Sequence, residues 1–266
     1  MNAKVVLVTG ASSGIGYAIA SRLHQEGHVV YGVSRNYPKQ DYAFPYLLCD
    51  ITKSAMIEPL VEEIRKKEGG IDVLVNCAGM GISGAIEETS ESQYDKIFNV
   101  NIKGLFMVTK AFLPLLRGRR NAKVINIGSV AGSLVIPFQA FYSMTKASVA
   151  AFSETLRMEL KPLDIDVCTI LPGDTKTDFT INREKNTDNG NSVYAERVSR
   201  SVAKMEHDEQ HGKSPDSVAK AVSKLIRRKS MPVQVTIGFQ YKLFLILQRI
   251  LPKRFVNWAV YQLYGK

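Results

Sequence analysis

The chain lacks the patterns that mark metalloproteins, disulfide-stapled secreted proteins and membrane-spanning proteins. Its three cysteines, Cys49, Cys77 and Cys168, have neither metal-ligand nor redox spacing, and each lies in or beside an apolar, strand-like run. We therefore expect buried, reduced thiols and no metal. No apolar run is long enough to cross a bilayer, and residues 1–8 lack the apolar core and cleavage site of a signal peptide. These absences favour a cytoplasmic protein.

Positive charge is what the chain has in excess. Its 35 lysines and arginines outnumber 25 acidic residues, which gives a formal net charge of +10. The basic residues gather at 117–120, at 227–229 and in the tail from 242 to 266. No nucleic-acid-binding motif accompanies them, so we expect solvated basic faces and no nucleic-acid partner. With 266 residues, 45% of them hydrophobic, the chain is long enough to bury a substantial core.

Apolar runs alternate with helical patterns along most of the chain. Residues 4–9 are the continuous apolar run of a parallel strand buried on both faces, and 14–25 follow with an amphipathic helical stripe. The same alternation predicts seven strands, at 4–9, 29–34, 46–49, 73–76, 123–127, 166–171 and 233–237. This order indicates an α/β fold built on a single doubly wound parallel sheet. We find no internal repeat or linker, and expect one catalytic domain over 1–240.

A glycine-rich turn, Thr9-Gly-Ala-Ser-Ser-Gly-Ile-Gly16, connects the first predicted strand to the first helix. Glycines there permit a tight turn and close approach of a pyrophosphate, and a helix N-terminus favours an anion. The context predicts dinucleotide binding. Ser34 and Arg35 end the second strand, where a carboxylate would select NAD(H). A guanidinium suits a 2′-phosphate, so we expect NADP(H) to be preferred over NAD(H).

Ser129, Tyr142 and Lys146 carry the strongest indication of chemistry. Tyr142 and Lys146 are four residues apart and therefore lie on one face of a helix. A cation beside a phenol favours the phenolate, which makes the phenolic proton easier to remove. A nearby hydroxyl such as that of Ser129 would hold a carbonyl oxygen in place. We expect proton transfer to or from an alcohol oxygen, coupled to hydride transfer.

Together these runs resemble the short-chain dehydrogenase/reductases of the classical type over roughly residues 3–240. Besides the glycine-rich turn, the matching motifs are Asn76-Cys-Ala-Gly79, Asn99-Val-Asn-Ile-Lys-Gly104, Gly128-Ser-Val-Ala-Gly132, Tyr142-Ser-Met-Thr-Lys146 and Pro172-Gly173. Hydroxysteroid and retinol dehydrogenase-like members are nearest in character. The resemblance implies a Rossmann-type domain, and a homodimer or homotetramer built partly through the helices that follow Asn99 and Tyr142.

The resemblance also implies a role for each matched position. Tyr142 would be the acid/base, and Lys146 would bind the nicotinamide ribose and lower the pKa of the tyrosine. Ser129 would orient the substrate oxygen, and Asn101 would hold a water in a proton relay. Asp50 would bind the adenine amino group. The other implied cofactor contacts are Gly10, Ser12, Ser13, Gly14, Ile15, Gly16, Ser34, Arg35, Ile51, Asn76, Ala78, Gly79, Pro172, Gly173, Thr175 and Thr177.

The loops expected to contact substrate are 80–86, 134–141 and 174–213, at the carboxyl ends of predicted strands. Residues 182–213 are polar and form either a disordered insertion or, with 174–181, a substrate lid. The other two loops predict an apolar wall, which suits a hydrophobic small-molecule substrate such as a steroid, a retinoid or a lipid-like carbonyl. The predicted wall residues are Met80, Ile82, Leu134, Val135, Ile136, Pro137, Phe138 and Phe141.

Residues 241–266 form a C-terminal extension in which apolar residues alternate with basic ones. Pro252 predicts a break between two short helices. Three roles suit this composition, and we favour them in this order: packing against a subunit or the chain itself, peripheral contact with an anionic membrane surface around Trp258, and a flap over the substrate cleft.

The sequence as a whole predicts an NADP(H)-dependent oxidoreductase that interconverts a hydrophobic secondary alcohol and ketone. One alternative is a 3-oxoacyl thioester reductase of fatty-acid synthesis, whose acidic carrier protein would dock on the basic clusters; the long extension is not typical of that group. Another is a non-catalytic dinucleotide-binding sensor or scaffold, which would be expected to lack Tyr142 or Lys146.

Overall fold

A seven-stranded parallel sheet forms the centre of the computed structural model, which describes residues 2–37, 42–186 and 192–266. The strands found in these ranges are β1 Val5–Thr9, β2 Val29–Ser34, β3 Tyr46–Leu48, β4 Val73–Asn76, β5 Ile82–Ser83, β6 Ala122–Ile127, β7 Ile165–Pro172, β8 Glu184–Lys185 and β9 Gln234–Ile237. The large sheet has the order β3-β2-β1-β4-β6-β7-β9, and β5 pairs with β8 in a separate small sheet. The order reverses between β1 and β4, which opens a crevice at the carboxyl ends of these strands.

Helices cover both faces of the sheet. In the described ranges they are α1 Gly14–Gln25, α2 Ser54–Glu68, α3 Glu91–Phe98, α4 Leu105–Arg117, α5 Ala140–Leu160, α6 Phe179–Asn182, α7 Ala195–Gln210, α8 Asp216–Arg227, α9 Phe239–Ile250 and α10 Lys253–Tyr264. One core joins α2, α4 and α5 to Leu7, and the other joins α1 and α8 to Val6 and Val8. Because neighbouring residues of β1 point to opposite cores, the molecule has three layers, helices–sheet–helices.

The predicted doubly wound fold is confirmed, and the bounds of all seven predicted strands agree within one residue. Continuous apolar runs explain this accuracy, because a parallel strand buried on both faces needs apolar side chains on both. Two helices precede β6, α3 and α4, and they are joined by a π-helical turn, Asn99–Gly104.

The polar segment 182–213 contains a helix that the sequence did not predict. Within α7, the side chains of Val198, Val202 and Met205 lie on one face and pack against Ala85 and Phe138. A stripe of three apolar residues in a 16-residue helix is too thin to stand out from its polar composition. Residues 187–191 of the predicted lid lie outside the described ranges.

The C-terminal extension folds as α9 and α10, with the predicted break at Pro252. Tyr241 and Leu245 of α9 pack on Val130 and Leu171, at the carboxyl edge of the sheet. Tyr264 of α10 packs with the apolar face of α7. The extension therefore lies over the same edge of the sheet as the crevice. Within the described ranges, no helix is both long enough and apolar enough to traverse a bilayer.

Candidate active site

A cavity of about 1000 Å³, the first cavity, occupies the crevice at the carboxyl ends of the strands. It extends from the glycine-rich turn, past Tyr142, to α9 and α10. Two predicted site residues, Asn76 and Asn101, are not among its lining residues. The predicted site residues that do line it are Gly10, Ser12, Ser13, Gly14, Ile15, Gly16, Ser34, Arg35, Asp50, Ile51, Ala78, Gly79, Ser129, Tyr142, Lys146, Pro172, Gly173, Thr175 and Thr177.

The glycine-rich turn brings the backbone at Gly10 against the end of β4. Gly10 has a φ of +70°, and a Cβ there would lie 2.7 Å from the Cα of Ala78. Only glycine fits this conformation and spacing without displacing the backbone. The turn leads directly into α1, whose first amides are available to an anion at the cavity wall. The turn therefore has the shape that a dinucleotide pyrophosphate requires.

The three catalytic candidates meet at the centre of the cavity. Ser129 follows β6, and its Oγ accepts a hydrogen bond of 3.1 Å from the Ala131 amide. Lys146 Nζ donates to the Ile127 carbonyl at 2.9 Å and lies 5.7 Å from the centroid of the Tyr142 ring. Ser129 and Tyr142 are close enough for the serine hydroxyl to favour the phenolate. The predicted triplet is therefore assembled in the structure.

Gly132 fixes the distance between the Ser129 turn and α5. A Cβ at Gly132 would lie 2.7 Å from the carbonyl carbon of Lys146 and 2.8 Å from the nitrogen of Ala147. Since neither atom belongs to a flexible side chain, only glycine allows the turn to pack this closely on the helix. This packing holds the serine beside the face of α5 that carries Tyr142.

Burial controls the ionisation of the triplet. It raises the pKa of Tyr142 to about 12, against the opposing hydrogen bond of Ser129. It also lowers the pKa of Lys146 to about 8. Desolvation of the phenolate therefore dominates the pKa of Tyr142, and the expected lowering of that pKa by Lys146 stays a prediction. In this environment Tyr142 is a protonated phenol at neutral pH and Lys146 titrates near it.

Asn101 lies behind the cavity wall, in the π-helical turn. Its carboxamide exchanges hydrogen bonds with the backbone of Met80, at 2.9 and 3.0 Å, and donates to Thr145 Oγ1 at 3.0 Å. A Cβ at Gly79 would meet both Asn101 Oδ1, at 3.3 Å, and Lys146 Nζ, at 3.6 Å. Asn101 thus joins the Met80 loop to α5 close to the lysine, and its part in a water relay stays a prediction.

Asn76 belongs to the support of the sheet rather than to the cavity. Its Nδ2 donates to Thr109 Oγ1 at 3.0 Å and to Asn126 Oδ1 at 2.8 Å, and Asn126 in turn bonds Ser153. The side chain therefore connects β4 with β6 and α4. The predicted contact of Asn76 with cofactor is corrected to a positioning role, and its neighbours Cys77, Ala78 and Gly79 line the cavity instead.

The predicted apolar wall is divided between two cavities. Met80, Leu134 and Ile136 line the first. Val135, Ile136, Pro137 and Phe138 line a second, adjacent cavity of about 1030 Å³. Ile82 and Phe141 line neither cavity, which corrects their predicted place. Ile82 is buried in β5, and Phe141, at the start of α5, packs edge-on against Tyr94 of α3.

The extension supplies cavity residues that the sequence did not identify. Tyr241 of α9 donates a hydrogen bond to the Asp174 carboxylate and accepts one of 3.1 Å from the Asp174 amide. Its ring lies directly over Gly173, so that a Cβ there would clash at 2.1 Å. The extension packs against the chain itself, which belongs to the first of the roles weighed for it, and it also lines the first cavity, as the third role requires. The extension residues that line the first cavity are Tyr241, Phe244, Val260, Leu263 and Tyr264.

The family described as short chain dehydrogenase matches residues 4–188, which is more than half of the chain. The chain belongs to the short-chain dehydrogenase family. The resemblance inferred from the motifs is therefore confirmed. Among curated relatives, a 3-ketodihydrosphingosine reductase of Bacteroides thetaiotaomicron is 39% identical over 239 residues, covering 90% of this chain and 89% of the relative.

Solved structures agree with this assignment. A short-chain dehydrogenase from Streptomyces avermitilis superposes with a TM-score of 0.82 at 29% identity, covering 98% of this chain and 96% of that one. A 3-ketoacyl-(acyl-carrier-protein) reductase from Brucella melitensis, complexed with NADH, has a TM-score of 0.72 at 26% identity, covering 88% of this chain and 97% of that one. The high coverage extends the similarity beyond the residues matched by the family description.

As a short-chain dehydrogenase, the protein is an oxidoreductase that acts on a secondary alcohol or ketone and binds a nicotinamide dinucleotide. The cavity fits that cofactor, because the glycine-rich turn leaves a backbone cradle at its diphosphate end and Lys146 lies at the catalytic end. When bound, the nicotinamide supplies or accepts the hydride. The chain supplies the proton and the alignment of the substrate oxygen.

We expect ketone reduction to slow as the pH rises through about 8. The pKa of Lys146 is lowered to about 8, so the ammonium is lost there, whereas Tyr142, with a pKa raised to about 12, stays protonated throughout. The measurement is kcat/KM for ketone reduction across this range. Lys146→Arg should show no such limb in its residual activity, because a guanidinium stays charged. A wild-type profile that stays flat well above pH 8 would contradict this assignment.

Proposed function

We propose that the protein reduces the ketone of a hydrophobic lipid, using NADPH, with Tyr142 as proton donor. The observation that carries this proposal is the position of the triplet, which opens onto a cavity whose far side is closed by apolar residues. On that side are Leu134 and Ile136 from the loop after β6, and Phe244, Val260 and Leu263 from the extension. An apolar wall beside a polar reacting centre selects a ketone with a large apolar substituent.

Each residue of the triplet has a definite part in this reaction. Tyr142 donates its phenolic proton to the carbonyl oxygen as the carbonyl carbon accepts the hydride, which gives a neutral secondary alcohol. Ser129 aligns the carbonyl oxygen with a hydrogen bond. Lys146, as the ammonium, stabilises the phenolate left on Tyr142. The polar contacts that hold Asn101 keep the wall behind Lys146 rigid and, in the same proposal, border the water relay that returns a proton.

The relatives favour a long-chain ketone. The 3-ketodihydrosphingosine reductase, at 39% identity over nearly its whole length, is named for a substrate of that class. The 3-ketoacyl-(acyl-carrier-protein) reductase supports the alternative thioester substrate, at lower identity. We place the lipid ketone first because the extension covers the cavity with apolar side chains. Steroids and retinoids, which are rigid and apolar, are the alternative substrates to be tested.

The preference for NADPH rests on Arg35. Arg35 follows β2, lies at the cavity wall beside Ser34, and is exposed. A guanidinium there offers paired donors to a 2′-phosphate, whereas no carboxylate at positions 34–36 is present to accept from a ribose 2′-OH. The adjoining residues 38–41 lie outside the described ranges.

The first test is reduction by the full-length enzyme of 3-ketodihydrosphingosine, acetoacetyl thioesters, steroids and retinoids with NADPH. Tyr142→Phe should lower kcat for the accepted ketone by about 10²- to 10⁴-fold, as loss of a general acid does. NADPH binding, followed by its fluorescence, should persist. Tyr94→Phe, on α3 and outside both cavities, is the matched control and should keep full activity. Turnover of thioesters alone would replace the proposed function with the alternative.

The second test concerns the cofactor. Arg35→Gln should raise KM for NADPH by about 10- to 100-fold, the range expected for one charge-assisted contact, and leave KM for NADH nearly unchanged. Arg120→Gln removes an exposed arginine that lines neither cavity and serves as control. Equal effects of Arg35→Gln on both cofactors would show that Arg35 does not read the 2′-phosphate.

We also propose that the basic carboxyl-terminal part of the chain rests on an anionic membrane surface. Ten of the 35 lysines and arginines lie in 217–266, where no Asp or Glu occurs, so the other 25 balance the 25 acidic residues of 1–216. The whole net charge therefore belongs to this segment. Ile250, Phe255 and Trp258 are each at least half exposed within it. Apolar side chains beside the cations of this segment match a surface of anionic headgroups.

A subunit contact is proposed elsewhere, on α4 and α5. Phe106 of α4 and Met158 of α5 are large apolar side chains that are exposed in the single chain. Apolar groups of this kind are enriched at subunit interfaces. The proposal is a homodimer or homotetramer in the cytoplasm, with the extension left free to meet the membrane.

Trp258 provides the test of membrane contact, because it is the only tryptophan in the chain and is 57% exposed. Its fluorescence should shift to the blue on vesicles containing phosphatidylserine, and not on phosphatidylcholine alone. High salt should reverse the shift, since the attraction is screened.

Two triple charge-reversal variants, one in the extension and one outside it, serve as the test and its control. The triple variant Arg249→Glu, Lys253→Glu, Arg254→Glu should abolish the shift. Lys53→Glu, Lys66→Glu, Arg117→Glu changes the net charge equally at exposed positions outside the extension and should preserve it. A shift that is the same on neutral and anionic vesicles, or in both variants, would contradict the proposal.

A further inference from the structure

We propose that the second cavity binds the alkyl chain of the ketone substrate, and that Ile136 and Val260 form the passage to it from the catalytic centre. The inference rests on the proposed function and specifies where the apolar part of the substrate lies. It assigns a distinct binding region to a flexible aliphatic chain, formed jointly by the loop after β6, the start of α5 and α10.

The second cavity is large and predominantly apolar. Its volume of about 1030 Å³ is at the upper end of ordinary ligand pockets. Val135, Pro137 and Phe138 form one side, and Ala85 and Ile86 form another. The one carboxylate at its edge, Glu87, accepts a hydrogen bond of 2.8 Å from Tyr194. Such a surface offers favourable burial to methylene groups and little to a polar ligand.

The two cavities share a boundary. Ile136 and Val260 line both of them, and both have aliphatic side chains. On the catalytic side of this boundary lie Leu134 and Leu263, and on the far side lies Tyr261. A chain attached to a carbonyl at Tyr142 therefore passes from one cavity to the other over apolar side chains alone.

The wall of the second cavity contains a residue with a strained backbone, Phe138, and an arginine, Arg197, that connects two parts of the wall. Phe138 has a φ of +61°, which is strained for an aromatic residue, and its carbonyl accepts a hydrogen bond of 2.9 Å from Gly84. The guanidinium of Arg197 lies 5.5 Å from the Phe138 ring and 5.9 Å from the Tyr261 ring. Its Nε donates to the Gly265 carbonyl at 2.9 Å. Arg197 thus ties the loop to α10, the two elements that enclose the cavity.

A flexible chain is the occupant that these features favour. The bound molecule must present a ketone to Tyr142 and extend through a boundary formed by two side chains. It must then spread in a space as large as the first cavity. An alkyl chain adapts to each part by rotation about single bonds. The mouth is also bordered by exposed apolar side chains of Val135, Ile86 and Tyr261, which suit a chain that leaves a lipid layer.

The experiment is a series of 3-keto lipids that share one headgroup and differ in chain length, reduced by the full-length enzyme with NADPH. In the wild type, kcat/KM should rise by about three- to fourfold for each added methylene until the second cavity is filled, then level off. No reduction of any member would refute the proposed function itself. Reduction without dependence on chain length would leave that function in place and refute the alkyl site.

Variants on α10 locate the site. Val260→Phe narrows the passage, and Asn257→Phe fills the second cavity from an exposed position that does not line the first. Each should lower the ratio of kcat/KM for the longest chain to that for the shortest by at least about tenfold. Val256→Phe lies one turn from Val260 on α10, lines neither cavity, and should leave the ratio unchanged.

Thermal melts establish that all three proteins fold. An unchanged ratio in folded Val260→Phe and Asn257→Phe would overturn the proposal. A rigid steroid reduced as well as the best chain, and equally sensitive to Asn257→Phe, would overturn the assignment to a flexible occupant.

Discussion

Close backbone contact at the carboxyl edge of the sheet is the constraint on which the site depends. The turn at Gly10 lies on the end of β4, and the turn at Gly132 lies on α5, each at a distance that a single Cβ would prevent. The first contact shapes the cradle for the cofactor, and the second sets Ser129 beside Tyr142. Because both are contacts with fixed backbone atoms, they locate the reacting groups more rigidly than side-chain packing alone would. The extension adds a cover that is anchored at this same edge, through Tyr241 and Asp174.

Burial explains why ionisation in the triplet departs from that of free side chains. Excluding water favours the neutral forms of both the phenol and the ammonium, so the pKa of Tyr142 rises while that of Lys146 falls. Excluding water also strengthens the electrostatic interactions of the phenolate that forms when Tyr142 loses its proton. Burial thus makes the lysine sensitive to pH near neutrality.

The sequence predicted the sheet and most of the cavity lining, because strands buried on both faces and glycine-rich turns leave local signals. Arg35, Asp50 and Gly79 could be placed from their positions after strands. Other features depend on distant contacts. The stripe of α7 is too thin to recognise without its partner surface, and the contacts of Tyr241 with Asp174 join residues 67 positions apart. Asn76 lies in a matching motif, yet its direction is set by Thr109 and Asn126 across the sheet.

The carboxyl-terminal part of the chain carries the excess positive charge and also contains the two helices that cover the active-site cavity. All of the net positive charge lies in 217–266, where α9 and α10 both line the first cavity and α10 also lines the second. Val260 faces inward to the proposed passage, whereas Trp258, two residues earlier on α10, is exposed among basic neighbours. The helix α10 therefore has one face that lines the cavities and another that is exposed. A substrate of very low solubility in water needs such an arrangement, because transfer directly from a bilayer avoids exposing its chain to solvent.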